Sequence, residues 1–230
     1  MGIRERRERE KDERREEIIG AAESVFFGKG LAEATMDDIA EAAELSKGTL
    51  YLYYRSKEDL YLAVTLKGMD IMEELFRKAI STGEPSIKRI YNLGEAYYEF
   101  FEKYRNFFRT FYFFESPQFH TQVSPEMLDA CTGHDRKIWE LVLTPIREAQ
   151  DEGLLQSSLD PMEIGVMLWS NSNGLMRLID RHADHWKDSL GVDLFSLMRK
   201  SNAFLLKAMM TEEGLKKFPT GTFEHAATGL

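Results

Sequence analysis

Apolar residues recur at three- and four-residue spacing along almost the whole chain, and alternating apolar–polar runs are nearly absent. That periodicity predicts an all-α protein. Ile18, Ala22, Val25 and Phe26 mark one face of a first helix that Gly28 and Gly30 end. Thr35 then stands where a capping residue belongs, with Asp38 three positions on, and Ile39, Ala40 and Ala43 form the stripe of a helix about two turns long. Ser46 opens a third short helix over Lys47–Tyr54, and Ser56, with Glu58 and Asp59 behind it, opens a long fourth one carrying Leu60, Ala63, Val64, Ile71 and Leu75. Two short helices joined by a tight turn and braced by a third make the helix-turn-helix arrangement, whose second member enters the DNA major groove.

The remainder continues in helices. Residues 125–153 read as one long helix with Pro145 inside it. Ile164, Leu168, Leu175 and Ile179 mark a stripe, and Leu194, Leu197, Met198, Phe204, Leu205, Ala208 and Met209 mark another. Before residue 18 the pattern is lost: residues 1–17 hold seven basic and seven acidic side chains, which fits a solvated helix extension or a frayed arm. Residues 219–230, rich in Gly, Thr and Ala, read as a loose tail.

The stretch from Ile18 to Val64 resembles the DNA-binding domain of the TetR family of transcriptional regulators. An Ala pair, a Phe and a Gly, then Thr followed by Asp-Ile-Ala, then SKGTLY and SKEDL, stand in the family's order at its distances. The resemblance implies an N-terminal helix-turn-helix domain at 18–62, a larger helical ligand-binding and dimerisation domain at 63–218, and a ligand-responsive homodimeric repressor on a palindromic operator. One departure is Glu44, where the family usually has glycine; a non-glycine there must accept a left-handed backbone or shift the turn.

Side-chain chemistry and the resemblance together assign roles. Lys47 is the expected base-edge reader, because lysine can donate to guanine O6 and N7. Gly48 lets the backbone approach the duplex, while Thr49 and Tyr53 are expected on phosphates. Lys57 and, more weakly, Thr35 clamp phosphates at helix starts. Tyr51 either touches DNA or packs beneath the third helix, and Tyr54 belongs to the core.

Charge lends no support of its own. Residues 1–60 hold 11 Lys and Arg against 15 Asp and Glu, and the chain carries a net −9, so a bulk basic footprint is missing and local sign must matter instead. The 230 residues, 43% of them hydrophobic, suffice for a buried core. No apolar run approaches the ~20 residues of a membrane span, and no secretion signal opens the chain, so a cytoplasmic protein is expected. The single cysteine, Cys131, allows no internal disulfide.

Thirteen of the 27 aromatic residues fall between Tyr91 and Phe119. They form either a thick aromatic core or the wall of an effector chamber. The chamber reading takes Tyr97, Phe101, Tyr104, Phe108, Phe111 and Tyr112 as its wall, with Met69, Met72, Trp139, Met167 and Met176 contributing from other helices. Such walls suit a bulky hydrophobic or aromatic small molecule. By the family resemblance, Ile164, Leu168, Leu175, Ile179, Leu194, Leu197, Met198, Leu205 and Met209 are expected at a dimer interface. His182 and His185 with Asp180 and Asp184 make a weak metal candidate, so neither metal nor cofactor is expected. No nucleophile–base pair or phosphate loop points to an enzyme; a helical carrier or enzyme built on the aromatic chamber is the alternative.

Overall fold

The computed structural model describes residues 2–81, 83–114 and 117–219. Eleven helices follow one another among them: α1 (Ile3–Glu33), α2 (Met36–Ala42), α3 (Lys47–Tyr51), α4 (Lys57–Ile80), α5 (Ser86–Lys103), α6 (Arg105–Phe114), α7 (Pro117–His120), α8 (Pro125–Asp151), α9 (Pro161–Leu190), α10 (Leu194–Ala208) and α11 (Glu212–Lys217). No strand occurs among the described residues; Leu155 and Met210 make an isolated antiparallel bridge. None of the described helices is long and apolar enough to cross a membrane.

The chain forms two units, Met1–Ile71 with Tyr104–Asp135, and Met72–Lys103 with Arg136–Leu230. Both α4 and α8 are divided between them, and the functional boundary expected at residue 62 falls inside α4.

In the first unit, α1 is continuous from Ile3, so the charged N-terminal stretch is a helix extension rather than a frayed arm. Gly28 stays helical and the break comes at Gly30, whose φ of 76° glycine reaches without a Cβ clash. Ile18, Ala22 and Phe26 bury one face of α1, and Leu60, Tyr61 and Val64 of α4, Ile39 of α2 and Leu50 of α3 are buried in the same unit. The rings of Phe26 and Tyr61 meet edge-on at 5.0 Å, and Tyr61 meets Phe119 of α7 at 5.9 Å. Lys67 reaches Glu23 at 2.5 Å.

The second unit is organised by Ile87, Ile90 and Tyr91 of α5, Ile146 and Ala149 of α8, Ile164 of α9 and Leu206 of α10. The α9 start is fixed by Asp160, which accepts from Met162 N–H, and by Pro161; its end is fixed by Gly191 at φ 66°. Between α9 and α10 lies a small polar seam in which Asn202 Oδ1 accepts from Asn171 Nδ2 at 2.9 Å and from Ser172 Oγ at 3.0 Å. Buried amides and hydroxyls satisfied in this way fix the register of two helices. Phe218 is buried, and residues 220–230 of the expected tail lie outside the described residues.

Candidate nucleic-acid interface

The interface is built from α2, the turn after it, and α3. Thr35 caps α2: its Oγ1 accepts from the Asp38 backbone N–H at 3.1 Å, while its own N–H and hydroxyl donate to Asp38 Oδ2. Lys29 donates to the other oxygen of Asp38 at 2.6 Å. Lys29 first, then Thr35, holds the Asp38 carboxyl down at about 2. The expected phosphate clamp at Thr35 is therefore engaged with an internal carboxylate in the free protein.

The turn after α2 solves the problem that Glu44 poses by accepting the strained backbone. Its φ is 53°, and the next residue, Leu45, donates to Ala40 O at 2.9 Å. Ser46 then caps α3, taking the Thr49 N–H at 3.1 Å and sharing a 2.8 Å hydroxyl contact with Thr49 Oγ1. Leu50 is fully buried and Tyr54 nearly so, its phenol pushed up to about 12 by burial. These two anchors leave the opposite edge of α3 exposed: Lys47, Gly48 and Tyr51 all lie in solvent, and Thr49 and Tyr53 are half-buried. Tyr51 is 46% exposed, which excludes the reading in which it packs beneath α3.

Lys47 Nζ donates to Asp37 Oδ2 at 2.8 Å, and that hydrogen bond raises the lysine's pKa further. Nothing stands closer than 3.8 Å to where a Cβ on Gly48 would sit, the nearest atom being Ser46 Oγ. The fold gives no reason for glycine there. Lys57 Nζ donates to the Leu31 carbonyl at 2.8 Å and so braces the start of α4 against the last turn of α1. Asp59, buried, takes the Ser124 N–H at 2.7 Å and ties the same corner to the start of α8. Leu52, 83% exposed beside Tyr51, is a surface residue that the sequence reading does not single out; its position at the end of a one-turn helix is the available signal.

The residues expected to wall an effector chamber divide between the two units. Met69, Tyr104, Phe108, Phe111 and Tyr112 belong to the first, and Met72, Tyr97, Phe101, Trp139, Met167 and Met176 to the second. Phe101, Phe108, Met69, Tyr97 and Met176 are buried, whereas Tyr104 and Met167 are exposed. The side chains of Phe113 and Phe114 lie outside the described residues.

The expected dimer residues need correction. Ile164, Ile179, Leu194, Met198 and Met209 are buried in the chain's own second unit and offer no surface to another molecule, while Leu168, Leu175 and Leu205 are half-buried. Of the nine, only Leu197 is exposed. The exposed apolar face consists instead of Met162, Val166, Met167 and Trp169 on α9 and Leu197 and Phe204 on α10. Both faces of α9 carry apolar residues at helical spacing, so periodicity alone finds two stripes and cannot choose between them.

Residues 18–64 match a family model described as bacterial regulatory proteins, tetR family. Among curated proteins, the HTH-type transcriptional activator FasR of Mycolicibacterium smegmatis is 37% identical over 126 residues, covering 53% of this chain and 57% of that protein. The HTH-type transcriptional repressor KstR2 of the same species is 24% identical over 147 residues, 64% of this chain and 70% of that one. The chain thus spans less than two thirds of the first of these relatives. Two solved structures share the fold: PfmR, a TetR family regulator from Thermus thermophilus, at TM-score 0.63 and 22% identity over 83% of this chain and 97% of that one, and FadR from Bacillus subtilis in complex with stearoyl-CoA, at TM-score 0.66 and 16% identity over 84% and 98%.

Proposed function

This chain belongs to the TetR family of bacterial transcriptional regulators, and from that premise we propose that it is a cytoplasmic homodimeric repressor whose operator affinity is lowered by a hydrophobic small molecule. The observation that carries the DNA-binding half is the presentation of α3. Leu50 and Tyr54 fix the helix from within, and Lys47, Gly48, Thr49 and Tyr51 stand together on its outer edge. Lys47 is the base reader in this proposal, Thr49 and Tyr53 position the backbone, and Thr35 and Lys57 contribute phosphate contacts once their internal bonds are exchanged. A twofold dimer would set two α3 helices roughly 34 to 36 Å apart and ask for a palindrome.

The effector half rests on the aromatic segment of α5 and α6 and on the structural kinship with a regulator solved with a long-chain acyl-CoA. Bulky apolar compounds, acyl chains included, suit the aromatic and methionine side chains concentrated there. α4 contributes to both units, so a ligand that prefers one arrangement of α4 shifts the population of reading heads competent for the operator. A coupling of about 1 to 3 kcal/mol would weaken operator binding by ~5- to 150-fold.

Selection from random duplexes tests the first half: a palindromic motif is expected, and a chain that enriches no sequence sinks the proposal. Titrating acyl-CoAs and other apolar compounds into the retained complex tests the second; none altering retention would remove the effector. A promoter-reporter measurement gives the sign, with repression expected.

A further inference from the structure

The first fifteen residues of α1 are balanced in charge, yet their charges are sorted. Arg4, Arg7, Lys11 and Arg15 recur at three- and four-residue steps, which places them on one face, and the same steps continue into Ile18 and Ala22, the buried seam of α1. Glu5, Asp12 and Glu16 lie to one side of that stripe. Arg4, Arg7, Glu8 and Lys11 line one shallow concavity on the exposed extension. Arg7 and Lys11 make no ion pair among the described residues, and Arg4 with Glu8 and Arg15 with Asp12 form solvated pairs. At the root of the extension, Arg15 lies close enough to Tyr54 for its charge to act on the phenol, and Tyr54 closes the turn that follows α3.

We propose that residues 3–17 are a second DNA-contacting element, a helical arm whose basic stripe rides on phosphates flanking the bases that α3 reads. The inference rests on the DNA-binding reading above and extends it. Fifteen helical residues reach about 22 Å, and duplex DNA offers one phosphate charge per ~1.7 Å of axis. A cationic stripe that begins beside the reading helix and continues outward for that distance is complementary to such a lattice. Solvated ion pairs such as Arg4–Glu8 are exchanged for phosphates at little cost. An anionic membrane surface is a poor partner, because a helix lying on it needs an apolar face, and residues 4–17 contain no apolar side chain.

The test uses the full chain and its selected operator, in a short duplex holding only the read bases and a long one with ten flanking base pairs on each side. The Arg4→Ala, Arg7→Ala, Lys11→Ala variant is expected to lose tenfold or more in affinity for the long duplex. It should lower the salt slope by about 2 to 3, near 0.9 per lost phosphate contact, and leave short-duplex affinity and base preference unchanged. Arg4→Lys with Arg7→Lys should retain the slope, and Arg6→Ala with Arg9→Ala, on the other face, should leave it near wild type. Equal slopes for wild type and the triple variant overturn the arm alone; a wild-type chain that retains no duplex overturns the parent reading and the arm with it. Helicity and melting temperature, which these exposed substitutions should leave unchanged, separate a folding defect from a binding one.

Discussion

The ammonium of Lys47 is held 2.8 Å from the Asp37 carboxylate, so the side chain offered to a base edge is occupied by the preceding helix until DNA arrives. Both partners are about half exposed or more, and such pairs are weak and yield to salt. The contact orients the lysine and adds a local repulsion toward phosphate. Asp37→Asn should therefore tighten binding to every duplex, by up to about fivefold, with little gain in discrimination. Lys47→Ala should lower operator affinity by roughly five- to hundredfold and relax base preference at its position. Fluorescence anisotropy on operator and scrambled duplexes measures both; a Lys47→Ala variant that keeps full discrimination removes this residue from base reading.

Gly48 permits a cleaner separation of fold from function. A methyl group there meets nothing nearer than 3.8 Å, and alanine is favoured over glycine inside a helix by about 1 kcal/mol. Gly48→Ala should raise thermal stability slightly while weakening operator binding, since the added methyl would project toward the duplex. Stability and affinity moving down together would mean that the glycine serves the fold.

Glu44 carries the reverse expectation. At φ 53° a side chain is strained by about 1 kcal/mol relative to glycine, partly offset by the greater freedom that glycine has when unfolded. Glu44→Gly should thus stabilise the protein by about 0.5 to 1 kcal/mol, near 2 °C in melting temperature for a chain of this size. Urea denaturation reads the difference directly, and a destabilised variant would show that the Glu44 side chain makes a compensating contribution.

Asp38 sets an acid limit on the reading head. Its carboxyl is held at about 2 by Lys29 and Thr35, below the ordinary carboxylate value of about 3.9. A carboxyl depressed on folding stabilises the native state above its unfolded pKa, and that contribution drains away as pH falls from about 4 toward 2. The stability gap between wild type and Asp38→Asn should be full at pH 6 and narrow steadily below pH 4. A gap independent of pH would leave only a neutral capping role.

What the sequence discloses and what it conceals follow from the range of each interaction. The Thr35–Asp38 and Ser46–Thr49 caps act over three residues, and the strain at Glu44 is a property of one, so the turn between α2 and α3 can be read without a structure. Lys57 binds a carbonyl 26 residues away and Lys47 a carboxylate ten residues away; neither engagement leaves a mark on local spacing. The aromatic segment is conspicuous as composition, but its assignment to two units depends on long-range packing. On α9 the difficulty is degeneracy: Ile164 and Val166 each begin an apolar stripe, and only the burial of Ile164 shows which one serves the monomer.

The stripe left outside makes the dimer testable. Phe204 is 72% exposed, seven residues from exposed Leu197 on α10, and Val166 and Trp169 lie exposed on α9. Stable dimers bury roughly 800 Å² per partner around an apolar centre from which charge is excluded. Phe204→Glu would place a carboxylate in such a centre. Because the position is open in the single chain, the substitution should leave helicity and melting of the isolated chain intact while shifting sedimentation from dimer to monomer. Operator affinity should fall with it, since one reading head would then bind without the second at a fixed distance. A Phe204→Glu protein that still sediments as a dimer would put the interface on another surface, and one that turns monomeric yet keeps full operator affinity would refute the palindromic mode.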